Sequence, residues 1–134
     1  MKNKILVIAV ALIVVFLVGF IPPSVKANRL ENELRQSRQD GAGAELRDLI
    51  SIAYVQANQK NYGLAAETSS RFFNRAREVA SQTRDASRRK ALEDLIALRD
   101  KVAAQLAKGD AAVTGDLLEL FSKTRQATRG SSEP

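Results

Sequence analysis

The sequence predicts an all-α protein: one N-terminal transmembrane helix, a stalk helix, then two antiparallel helical hairpins forming a small four-helix bundle. Three observations carry that prediction. The run from Ile5 to Ile21, ILVIAVALIVVFLVGFI, holds no charge, amide or hydroxyl. No proline occurs between Pro23 and Pro134, and the good helix formers Ala, Leu, Arg, Gln, Glu and Lys fill the interval. Beyond the run, apolar residues recur at i, i+3 or i+4 and i+7, and alternating strand patterns do not occur. The expected layout is an anchor over residues 1–23, a stalk over 24–40, a helical domain over 44–128 and a disordered tail over 129–134.

At 1.5 Å per helical residue the apolar run reaches about 25 Å, a little under the about 30 Å of a hydrocarbon core. Snorkelling of Lys4 and extension towards Val25 would make up the difference, so the run is expected to place the chain in a lipid bilayer. The same residues also fit a secretory signal, with Lys2 and Lys4 as its basic start and Val25-Lys26-Ala27 as a site cut after Ala27. The run exceeds the roughly 7–15 residues of a signal's apolar core, and Lys26 sets a charge beside the cut. The uncleaved anchor is therefore preferred. Positive charge is nearly balanced across the run, with Lys2 and Lys4 facing Lys26, Arg29, Arg35 and Arg38. Because the chain opens like an export signal, the helical domain is expected outside the cytoplasm, at an inner membrane of bacterial type. There is no cysteine, which fits either compartment.

Residues 24–39 read as a polar stalk helix capped by Ser24, with Ala27, Leu30 and Leu34 as its only stripe. Asp40-Gly41-Ala42-Gly43 is expected to break it, since paired glycines beside an Asp favour a turn. Residues 45–60 carry Leu46, Leu49, Ile50, Ala53, Tyr54 and Ala57 on one amphipathic face. Asn61-Tyr62-Gly63 is the expected turn. Residues 64–83 follow, with Ala65, Phe72, Ala76, Val79 and Ala80 inward and Phe73 widening the stripe. Asp85 is the expected N-cap of a helix over 86–108, whose apolar positions include Leu92, Leu95, Ile96, Leu98, Val102 and Leu106. Gly109 should end that helix and Asp110 cap the last one, over about 111–127, with Val113, Leu117, Leu120, Phe121 and Thr124 inward. Gly115 would delay its start to after Thr114. Burial is expected above all of Phe72, Leu95, Ile96 and Leu117.

The stretch AYVQANQKNYGLAAETSSRFFNRA, from Ala53 to Ala76, resembles a tetratricopeptide-type helical hairpin, with Tyr54, Tyr62, Ala65 and Phe72 in the family's aromatic and small positions. No Pro closes the unit, and LAKGDAA is the only echo in the second hairpin. The resemblance implies TPR-like packing and protein–protein interaction, although repeats of this type generally need three or more units for a peptide-binding surface. The chain as a whole resembles uncharacterised single-span helical proteins of bacteria, a likeness that implies no activity.

Chemistry has few candidates. The chain has no His and no Cys, which removes the commonest base, the commonest metal ligand and the thiol nucleophile. No phosphate-binding or dinucleotide loop and no nucleophile elbow occurs. Ser69, Ser70, Ser81 and Ser87 lack a base motif and read as surface or loop hydroxyls. Glu93, Asp94 and Asp100 stand among Arg89, Lys90, Arg99 and Lys101, as ordinary i, i+4 surface pairs do. No catalytic residue, cofactor or metal is expected, and the chain is not expected to be an enzyme.

One feature remains. Between positions 71 and 90 stand seven basic residues, Arg71, Arg75, Arg77, Arg84, Arg88, Arg89 and Lys90, against Glu78 and Asp85: net +5 of a formal +6 for the chain. Such a patch can hold anionic lipid headgroups or an acidic protein partner, or it can be a solvated face whose Arg stems cover apolar neighbours. Nucleic acid fits least, with no binding motif beside the patch and an anchor ahead of it. The expected function is thus a membrane-anchored interaction or scaffold module of the cell envelope. The alternatives are a secreted or periplasmic helical binding protein, or a non-catalytic accessory subunit of a membrane enzyme complex.

Overall fold

Strong helix formers and a proline-free interval produce helix over nearly the whole described chain. The computed structural model describes residues 2–19 and 23–129. They form α1 (Lys2–Gly19), α2 (Pro23–Asn58), α3 (Tyr62–Gln82), α4 (Ala86–Ile96), α5 (Arg99–Lys108) and α6 (Val113–Ala127). Among the described residues there is no strand, and the all-α class stands. The chain divides into two units, Met1–Ser37 and Arg38–Pro134, and α2 supplies residues to both.

The first unit holds α1 and the start of α2. Of the 18 residues of α1, Lys2, Asn3 and Lys4 are polar. The fifteen that remain rise about 22 Å, against a hydrocarbon core of about 30 Å. Among the described residues no helix is long and apolar enough to cross a membrane. Phe20, Ile21 and Pro22, where the apolar run was expected to end, lie outside the described residues, as does the expected tail from Gly130 onward. Helix α2 begins at Pro23, so Ser24 lies inside the helix and is not its cap. Proline suits that first position because its missing N–H would have no helical partner there. Leu30 and Leu34 are exposed, and Arg35 is paired with Glu31 one turn away.

In the second unit the expected break at Asp40-Gly41-Ala42-Gly43 does not occur, for α2 runs through it. Tertiary contact explains the difference. Ala42 and Gly43 are buried, and a Cβ on Gly43 would stand 3.0 Å from the Thr128 Cβ. That approach, open only to glycine, offsets the about 1 kcal/mol by which a helical Gly falls short of Ala. Arg47, one turn on, donates from Nη1 to the Thr128 carbonyl (3.2 Å) and hydroxyl (2.8 Å), closing the C-terminus of α6.

The first turn falls one or two residues earlier than expected. Lys60, not Gly63, takes the left-handed conformation, at φ 61°. Its N–H reaches the Ala57 carbonyl (2.9 Å) and the Asn61 N–H reaches Gln56 (2.9 Å), the paired bonds of a Schellman ending. Tyr62 and Gly63 then open α3. Glu45 of α2 meets Arg75 of α3, so the two helices run antiparallel. All of Ala65, Phe72, Phe73, Ala76, Val79 and Ala80 are buried, and the two Phe rings meet edge to face at 5.1 Å.

Asp85 caps α4 as expected, accepting from the Ser87 N–H at 2.9 Å. The single helix expected over 86–108 is instead two, α4 and α5, joined through Ala97 and Leu98. Both joining residues stay in the right-handed region, and the Leu98 N–H bonds back three residues to Leu95 at 3.1 Å. The connection is a tightened turn, and with neither Gly nor Pro nearby the residues carry no sign of it. Gly109 ends α5 at φ 64° with the Tyr62 ring packed on it. Asp110 accepts from Ala112 at 2.9 Å and leads into α6. Gly115 lies within that helix and does not delay its start.

α3 packs on α4 and α5, and both pack on α6. The shared core joins Leu46, Ile50, Phe72, Leu92, Leu95, Val102, Val113, Leu117 and Leu120. The unit is a helical bundle. Ile96 departs from expectation, being half-buried at the margin of this core.

Asp116 on α6 receives the Lys101 ammonium at 3.0 Å. That bond, followed by one with Gln105, holds its carboxyl below the ordinary value of 3.8. A depressed carboxylate adds stability that is fully present above the unfolded pKa and disappears as pH falls through the lower folded one. Lys101→Met is therefore expected to cost up to about 1 kcal/mol at pH 7. The gap to wild type should close below about pH 3.8. Urea unfolding at the two pH values measures it, and a gap that widens in acid contradicts this assignment.

Candidate anion-contact surface

The basic residues between 71 and 90 are set by the end of α3, the three-residue turn and the first turns of α4. The structure scatters their roles. Arg71 is exposed and paired with Glu67 at 3.0 Å. Arg75 bridges Glu45 and Glu78, each at 2.8 Å, and these bonds, Glu78 first, raise its pKa above the already high arginine value. It is a fixed tie between α2 and α3. Lys90 is paired with Asp94 at 3.1 Å.

Two further members close backbone ends. Arg89 places Nε and Nη2 on the Thr83 carbonyl at 3.2 and 2.7 Å, capping the end of α3. Thr83 itself is buried and turns its hydroxyl to the Val79 carbonyl at 2.6 Å. Arg88 is half-buried, with Nη2 at 3.4 Å from the Gln39 carbonyl. Its Nε is buried without a partner among the described residues.

Arg77 and Arg84 are exposed and form no ion pair among the described residues. Arg77 lines a shallow cleft of about 320 Å³ with Ala80, Ser81, Arg89, Glu93 and Ile96. Two guanidiniums and the Glu93 carboxylate border it over Ala80 and Ile96, so the cleft keeps a net positive charge beside an apolar floor. Arg77, Arg84 and the exposed side of Arg89 have no acidic partner among the described residues, while Arg71 and Lys90 are held only by exposed pairs that a partner's carboxylate could replace.

Asp94 is taken by Lys90, and among the described residues no group of three or more His, Cys, Asp or Glu is placed to hold a metal. The hydroxyls differ from expectation at one position. Ser81 donates to the Glu78 carbonyl at 2.7 Å and Ser87 is exposed, but Ser69 is 3% exposed and its Oγ has no partner among the described residues. Arg47 and Arg99 were not singled out by sequence. Arg47 caps α6 across a separation of 81 residues, which no local spacing signals.

No family model matches the chain, and no curated protein or solved structure is similar to it. The tetratricopeptide likeness gains nothing from these comparisons. In the hairpin of α2 and α3, Ala65 and Phe72 are buried, while Tyr54 and Tyr62 are half-buried against the core.

Proposed function

We propose that this chain is a membrane-anchored interaction module, a scaffold or accessory subunit of an envelope complex, with no chemistry of its own. One observation carries the reading. Ile5, Leu6, Val7, Ile8, Val10 and Ile13 of α1 are all exposed, at 53–69%. Consecutive positions on a helix point all round it, so the segment is apolar on every described face. Such a helix needs an apolar surrounding, which a bilayer supplies. The helical unit would then act beside a membrane, with Arg77 and Arg84 as its available cations for an acidic protein partner or anionic headgroups.

Two measurements test the reading together. Membrane fractions extracted with alkaline carbonate should retain the chain, and mass spectrometry should find its N-terminus intact. Release by carbonate, or an N-terminus at Asn28, would replace the anchor with the secreted form. Partner capture from mild detergent at low and high salt tests the patch. Arg77→Glu with Arg84→Glu should weaken capture and flatten its dependence on salt, while stability moves by about 0.5 kcal/mol or less per site. Reversal at Arg88 or Arg89 would be a poor test, since both support the Thr83–Gln39 region of the fold. Unchanged capture in the double variant retires the patch as a contact.

A further inference from the structure

A second concavity lies between α3 and α5, of about 160 Å³, lined by Ala66, Ser69, Phe73, Arg99, Ala103 and Leu106, with Ser70 and Ala107 at its edge. Its walls are apolar except at two kinds of group. Ser69 is 3% exposed, and its Oγ is without a hydrogen-bond partner among the described residues. A buried hydroxyl of that kind costs free energy until something bonds to it. Arg99, half-buried at the first turn of α5, forms no ion pair among the described residues, although Lys90, Lys101 and Lys123 around the bundle all do.

We infer that this groove binds a small monocarboxylate with an apolar body. Phe73, Leu106 and the three alanines offer the body an apolar wall, and a cavity of about 150 Å³ takes one benzene-sized group. Arg99 supplies the counter-charge, since a guanidinium fork matches a carboxylate with two parallel N–H donors. Ser69 and Ser70 add neutral donors on the facing helix. One cation beside neutral hydroxyls suits a single negative charge and leaves a phosphate dianion undercompensated. Small alanines at Ala66, Ala103 and Ala107 are what leave the space; a bundle optimised only for stability would fill it with larger side chains. The inference is independent of the anchor and of the contacts of Arg77 and Arg84.

The test uses the full chain in phosphatidylcholine nanodiscs, with benzoate as probe and benzylamine, cationic at neutral pH, as its charge-reversed match. Benzoate should shift the backbone amide resonances of Ala66, Ser70, Ala103 and Ala107, and benzylamine at equal concentration should not. Arg99→Gln should weaken benzoate binding by about tenfold or more, the size of a charge-assisted hydrogen bond. Ala103→Leu should abolish it by filling the groove. Ala103 is exposed, so that variant keeps its helical circular dichroism, and Ala107→Leu provides a second filling variant. Absence of benzoate shifts, equal binding of benzylamine, or benzoate binding retained in either the Arg99 or the filling variants overturns the proposal.

Discussion

Phe72→Ala is expected to lower the unfolding free energy of the helical unit by about 3–5 kcal/mol. The side chain is fully enclosed, at 0% exposure, and stands on α3, the helix that packs on both α4 and α5. Its removal forfeits the transfer free energy of the ring and the edge contact with Phe73, and leaves a void that neighbours on several elements would all have to move to fill. Tyrosine fluorescence follows the transition in urea, because both tyrosines lie in this unit and there is no tryptophan. A loss below about 1 kcal/mol would mean that the site collapses freely or that Phe72 is not enclosed.

The second large effect comes from a pair of glycines two residues apart. Gly43→Ala should destabilise by about 1–2 kcal/mol, although alanine is the better helix former. The new Cβ would meet the Thr128 Cβ at 3.0 Å, and Thr128 is held in place by Arg47 and by its own bond to the Thr124 carbonyl at 2.7 Å. Overpacking of this kind costs about 1–3 kcal/mol, against a helix gain of about 0.5–1. Gly41→Ala is the control. Nothing lies within 4 Å of its Cβ, so only the gain remains and the variant should be stabilised. Equal effects at the two positions would contradict the close approach of α2 to the end of α6.

Local signals were legible where structure is decided locally. The stripe of Val113, Leu117, Leu120 and Thr124, with Phe121 half-buried beside it, the Asp85 cap and the Gly109 ending all depend on residues within one or two turns, and all are found. Features decided by distant residues were not. The helix through Gly41 and Gly43 depends on Thr128, at the other end of the unit. The left-handed residue is Lys60, just ahead of the expected turn at Asn61-Tyr62-Gly63, and nothing in a lysine's own chemistry favours that conformation. Ile96, the last residue of α4, stands at the margin of the core beside the turn through Ala97 and Leu98.

The basic patch shows the same division. Its composition was evident, but pairing with Glu45 and the capping of Thr83 and Gln39 depend on which helices meet. Charge density in the sequence therefore did not tell which of these cations tie the fold together and which stand unpaired. Arg99 was masked for a related reason: beside Asp100 and Lys101 it reads as ordinary surface, and only the alanines of α3 and α5 brought face to face give it a setting.

Contact between Gly43 and Thr128 also has a mechanical meaning. The chain comes into the helical unit and departs from it at the same corner, so a pulling force on its two ends would not travel the length of the bundle. It would fall on the two bonds of Arg47, at 3.2 and 2.8 Å, and on one glycine-sized contact. Helices loaded from adjacent ends separate by peeling, one contact after another, rather than by sliding with many contacts strained at once. Tension would therefore act first on the α2–α6 corner, with the core residues Leu46 and Ile50 of α2 behind it.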